Sequence, residues 1–267
     1  MSELQDQAIN AIQEFMASRT VCITSEKYGF EHGSGVAVLC NGLHYIMTAK
    51  HVLEKEPDNA NIRFLERVSS PHLSIPNKRE VMGAVPRKVT SISVAHPIEI
   101  VDRRISIRSD SAALLVKDAN RDLPNTIFHD ISKQADYELA LGTDVIIFGL
   151  PSELAISFRV SGSSRTIAMG FPHATTQKVI GFSNVPSGVR ETLDPDMDFL
   201  TDFTDENGES QPEGLSGGGA WHFSNFRKGE LWHPNRATLL GIQVGIYRES
   251  QVLRLVRMGA MMELLSS

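Results

Sequence analysis

The chain has 267 residues, longer than the roughly 150 of an average domain, so one large β-rich domain or two small ones both fit. With 41% hydrophobic and 22% charged residues the composition is ordinary globular, which excludes a disordered chain, a collagen and a disulfide-stapled miniprotein. Lys and Arg number 26 against 32 Asp and Glu, a net charge of −6 with no concentrated basic stripe, which argues against nucleic acid or an anionic membrane as main partner.

Residues 3–18 are expected to form one amphipathic helix. Leu4, Ala8, Ile12, Phe15 and Met16 recur at helical spacing, and Ser2 with Gln5 fits a capping box. The stripe needs a partner, either its own barrel or a regulatory protein. The start of the chain lacks a basic region followed by an apolar run, so the expected compartment is cytoplasmic, with Cys22 and Cys40 as reduced, buried small hydrophobes.

Strands follow. Thr20 to Thr24 is short and β-branched. Gly35 to Cys40 and Leu43 to Thr48 flank Asn41-Gly42, a hairpin signal because a type I′ turn needs positive φ at both central residues. Further strands are expected near Asn61–Leu65, Val89–Val94, Ile98–Val101, Ile105–Ile107 and Ala112–Val116. After a polar, turn-rich stretch at 119–140 come Val145–Phe148, Ile156–Val160, Lys178–Phe182, Asp198–Phe203, Gly219–Phe223 and Thr238–Ile246. No regular helices intervene, so the fold class is antiparallel all-β in two similar halves, 19–118 and 141–267. The tail from about Leu253 ends in an expected closing helix.

Three segments carry chemistry. Tyr45-Ile-Met-Thr-Ala-Lys-His51 places an imidazole just past a buried strand, at a sheet edge beside any cleft. Asp110 directly precedes the apolar strand Ala112–Val116, where a carboxylate loses hydration and needs hydrogen-bond donors. In Glu213-Gly-Leu-Ser216-Gly-Gly-Gly-Ala-Trp221 a serine lies among four glycines, which permit a tight turn with bared N–H groups and close approach of a substrate.

In this order the segments resemble the trypsin-like (chymotrypsin-fold) serine peptidases, which carry Thr-Ala-x-His, Asp-x-Ala-x-Leu and Gly-x-Ser-Gly-Gly at comparable intervals. The likeness covers roughly residues 20–255. It extends to Ile146-Ile-Phe-Gly-Leu-Pro151, Phe199-Leu-Thr-Asp202 and Leu239-Leu-Gly-Ile242. It implies two six-stranded antiparallel β-barrels with the active site between them, and His51, Asp110 and Ser216 as base, orienter and nucleophile. It further implies an oxyanion hole from the N–H groups of Gly214 and Ser216, a polypeptide substrate, and no cofactor or metal. The bacterial-type intracellular members are the most similar, since no cysteine follows His51 to form the usual disulfide.

The sequence departs from that pattern in several places. Lys50 replaces a small residue, and a cation facing the imidazole would lower its pKa. Leu215 stands where activated digestive members have an aspartate, so activation by a newly cut N-terminus is not expected. Gly219 replaces a common proline. Val244 falls where a serine often supports the buried aspartate; with Gly245 it is expected along the substrate cleft. Ser210, six residues before the nucleophile, would lie at the base of the primary pocket and leans toward apolar side chains, although Glu206, Glu209 and Glu213 leave basic substrates open.

Two other readings compete. Gly214-Leu-Ser-Gly-Gly218 also fits the nucleophile elbow of α/β-hydrolases. That fold needs an acid and then a histidine after the serine on separate loops, and only Glu230 and His233 follow in that order. The stronger rival is a catalytically impaired two-barrel module that binds or senses peptides. The remaining histidines show no His-x-x-x-His or Cys-x-x-Cys spacing, so a metal enzyme is not expected.

Overall fold

The computed structural model describes residues 11–25, 32–54, 58–59, 62–65, 98–132, 134, 137–150, 156–159, 166–169, 173–203, 214–223 and 236–266. The expected strand at Val89–Val94 and the start of the N-terminal helix lie outside these residues.

The first half is a seven-stranded sheet. Its strands are β1 (Thr20–Ser25), β2 (His32–Cys40), β3 (Leu43–Ala49), β4 (Ile62–Leu65), β5 (Ile100–Ser106), β6 (Ser111–Val116) and β7 (His129–Asp130). They run in the order β4-β1-β2-β3-β6-β5, with β7 pairing parallel to β2. Asn41 and Gly42 adopt φ of 50° and 80°, as the type I′ hairpin requires. Among the described residues this sheet does not close into the expected barrel: the path ends at β4 and β5.

The second half does close. Around it run β11 (His173–Ile180), β12 (Asp198–Asp202), β15 (Val252–Arg257), β14 (Ala237–Tyr247), β13 (Gly219–Phe223) and β8 (Asp144–Gly149). A separate hairpin joins β9 (Ile156–Arg159) to β10 (Thr166–Met169). Residues 119–132 carry structure of their own, with a short helix at Ala119–Asp122 and β7, and they bury Leu123 and Ile131.

Two expected elements differ. Ile98–Val101 and Ile105–Ile107 merge into the single strand β5, because the polar run Asp102-Arg103-Arg104 between them also keeps β pairing with β6. The tail is a strand through Arg257 before the closing helix Met258–Ser266 begins, since both faces of β15 are covered and its apolar residues need not alternate.

One apolar cluster fills the first sheet and another the second barrel; the largest lies between the halves. Helical residues 11–17 send Ile12, Phe15 and Met16 into that central cluster, and the closing helix sends Met258, Met261 and Leu265. Burying side chains of this size stabilises the fold by about 1.5–3 kcal/mol each relative to leaving them in water. The described part of the amphipathic stripe, Ile12, Phe15 and Met16, is therefore spent on its own chain. Arg104 ties the closing helix to β5 by donating to the carbonyls of Leu264 and Leu265, where a cation also complements the helix dipole.

Candidate active site

β3 is buried from Tyr45 through Ala49, and a 3-10 turn, Lys50–Leu53, follows, anchored by buried Leu53. His51 lies on this turn, exposed at the sheet edge. β6 pairs antiparallel with β3, Ala49 opposite Ser111, so the residue before Ser111 arrives beside the residue after Ala49. That register is why Asp110 meets His51 across 59 residues of sequence. Lys50 N donates to Asp110 O at 2.8 Å and closes the corner.

Asp110 has φ 52°, in the left-handed region that aspartate tolerates better than most residues. Its Oδ2 lies 2.7 Å from His51 Nδ1, and its Oδ1 accepts from His51 N at 3.2 Å. With the carboxylate ionised, Nδ1 carries the proton and Nε2 keeps its lone pair for use as a base. Behind this turn, the buried Ser109 hydroxyl lies 2.7 Å from both the Ser106 and Ser111 hydroxyls, a relay that stiffens it. The Lys50 ammonium is ion-paired with Glu54, which raises its pKa.

The Ser216 loop is built on glycine. Gly214 and Gly217 have φ of 89° and 85°. A Cβ on Gly217 would fall 2.0 Å from Ser34 O and 2.3 Å from Thr48 Oγ1, so only glycine lets the loop lie this close to β2 and β3. Ser34 N donates to Ser216 O at 2.8 Å. The Ser34 hydroxyl accepts from Leu150 N at 2.8 Å, just past β8, and donates to Gly214 O at 2.9 Å, so Ser34 holds the turn at Gly214 as well as at Ser216. Gly33 stands between the loop and the histidine turn: a Cβ there would touch Val52 at 2.5 Å and Ser216 O at 3.1 Å. Leu215, in the place of the digestive aspartate, is buried with its side chain close against Gly149.

The structure thus joins His51 to Asp110 and docks the Ser216 loop on the strand beside them. Among the described residues no hydrogen bond links Ser216 Oγ to His51, and no acceptor occupies the N–H groups of Gly214 or Ser216. Val244 is buried in the central cluster, where it offers Asp110 no donor, and Gly245 faces Arg254 across the β14–β15 ladder. Ser210, Glu206, Glu209 and Glu213 lie outside the described residues. Cys22 and Cys40 are free and buried, and burial pushes the Cys22 thiol up to about 12, far from a reactive thiolate.

Ser34, Thr48 and Gln243 escaped the sequence reading as site residues. Thr48 donates to Ser34 O at 2.7 Å beneath the loop. Gln243 N donates to Gly218 O at 2.8 Å, and Gly217 N donates to Gln243 O at 2.7 Å. The available signals were a hydroxyl between two glycines in Gly33-Ser34-Gly35 and a lone amide inside the apolar run Leu239 to Ile246.

No family model matches the chain, and no curated protein matches it either. Among solved structures it is similar to the serine endoprotease from Yersinia pestis, with a TM-score of 0.54 at 15% identity over 96% of this chain. The match spans 65% of that protein's chain. At this identity the likeness speaks for architecture: the chain has a fold of the serine-endoprotease kind.

Proposed function

We propose that the chain is a serine endopeptidase. The observation that carries this reading is the 2.7 Å bond from Asp110 to His51 Nδ1, on a turn that Gly33 brings against the Ser216 loop. Ser216 Oγ attacks a peptide carbonyl while His51 Nε2 takes its proton. Asp110 stabilises the imidazolium, and the N–H groups of Gly214 and Ser216 receive the oxyanion. His51 returns the proton to the leaving amine, and water then releases the acyl group from Ser216. Val244 and Gly245 form part of the wall along which the substrate lies.

A second reading has one observation in its favour: the absent Ser216–His51 hydrogen bond fits a peptide-binding module with impaired catalysis. Such bonds also tighten only on substrate binding in active enzymes, so the two readings separate in solution. A diverse peptide library incubated with wild type and Ser216→Ala, read by mass spectrometry, is expected to show cleavage by wild type alone. Identical, uncut libraries would leave the module as the function.

A further inference from the structure

Among the described residues, several buried side-chain atoms on the strands of the second barrel have no hydrogen-bond partner, Asp198 Oδ1, Trp221 Nε1 and Arg254 Nε among them, together with two that share the barrel's inner face. The Thr201 hydroxyl and the Gln243 side-chain oxygen are both buried, and neither makes a hydrogen bond. Unpaired buried polar atoms are costly and uncommon in folded proteins.

The strand register puts them on the two strands that flank β15, two residues apart in level. Thr201 on β12 pairs with Leu253 of β15, and Gln243 on β14 pairs with Leu255 of the same strand. Phe199 and Thr201 share one face of β12. A Cβ on Gly241 would lie 3.2 Å from the Phe199 ring, so Gly241, and with it Gln243 two residues on, face the same interior. Gln243 Nε2 donates to Gly245 O at 2.9 Å, which settles the amide orientation and leaves Oε1 a pure acceptor. The same bond leans the side chain along β14 toward the level of Leu253, and so of Thr201. The Gln243 backbone is clamped to Gly217 and Gly218, next to Ser216.

We infer that Gln243 Oε1 and Thr201 Oγ1 recognise the substrate side chain next to the cleaved carbonyl, and that this side chain is a carboxamide, glutamine or asparagine. The inference rests on the peptidase reading above. A carboxamide donates an N–H to Gln243 and accepts the hydroxyl hydrogen of Thr201, satisfying both atoms. A carboxylate sets oxygen against the Gln243 oxygen, and an aliphatic chain leaves both atoms unpaired. A cation finds no carboxylate on this face among the described residues. Asp198 and Asp202 lie on the other face of β12, where Asp198 pairs with Arg254 and Asp202 accepts from Lys178 N.

Product-like acetylated peptides ending in glutamine or in its near-isostere methionine test this by calorimetric titration into Ser216→Ala protein. The glutamine peptide is expected to bind at least 10-fold more tightly. The ratio should fall below about 2-fold in Ser216→Ala carrying Gln243→Leu, a volume-conserving change whose fold is checked by its melting curve, and to an intermediate value with Thr201→Val. Equal or tighter binding of the methionine peptide, a ratio unchanged by Gln243→Leu, or no binding of either peptide overturns the inference. Because binding is read without turnover, the library cleavage judges the peptidase reading separately.

Discussion

Asp110 carries two demands at once, a left-handed backbone and a carboxylate bonded to both the ring and the amide of His51. Asparagine tolerates the same backbone but offers the ring an N–H as readily as an oxygen, which releases the tautomer that keeps Nε2 basic. Asp110→Asn is therefore expected to leave the melting temperature within a few degrees of wild type. It should lower kcat for library-selected peptides by about 10⁴ with little change in KM, as steady-state kinetics will read. The candidate residues of this site could be picked from the sequence because each lies close to one end of a strand, His51 after β3, Asp110 before β6 and Ser216 before β13, and carries a local signature: Thr-Ala before His51, small residues after Asp110, glycines around Ser216. Gln243 was not legible. Its inward direction depends on the bulges between Ala220 and Trp221 and between Gln243 and Gly245, which shift the strand parity.

At the scale of elements, the N-terminal helix and β7 meet over a half-buried histidine. The His129 ring lies edge-on to Phe15 at 6.1 Å and to Trp221 at 5.0 Å. Burial, and after it the Arg19 charge, pulls its pKa from 6.5 to about 4. As pH falls from 6.5 toward 4 the unfolded chain takes up a proton that the native state refuses. His129 therefore contributes stability fully above that window and loses it through the window, by up to about 3 kcal/mol. Urea unfolding at pH 7 and pH 5 should show a smaller loss for His129→Gln than for wild type; parallel losses would contradict the assignment. The sequence hid this element in a polar stretch, because a two-residue strand has no period to detect. It hid the strand character of β15 for the opposite reason. Val252, Leu253, Leu255 and Val256 face clusters on both sides, so the run reads as apolar without alternation.

Across the whole molecule, the two halves are locked by the central cluster that helical residues 11–17 and the closing helix both enter, and the candidate site spans the same junction. His51 and Asp110 come from the first sheet. Ser216 precedes β13 of the closed barrel, and Ser34 bonds the two together. Catalysis in this account is a property of that junction, and its direct signature is an acylable serine. Folded protein treated with a fluorophosphonate and digested for mass spectrometry should carry one adduct, on Ser216. The adduct should disappear in Ser216→Ala and fall by at least about 10³ in rate in His51→Ala. Folded wild-type protein that takes no label, or takes it at another residue, would contradict the account.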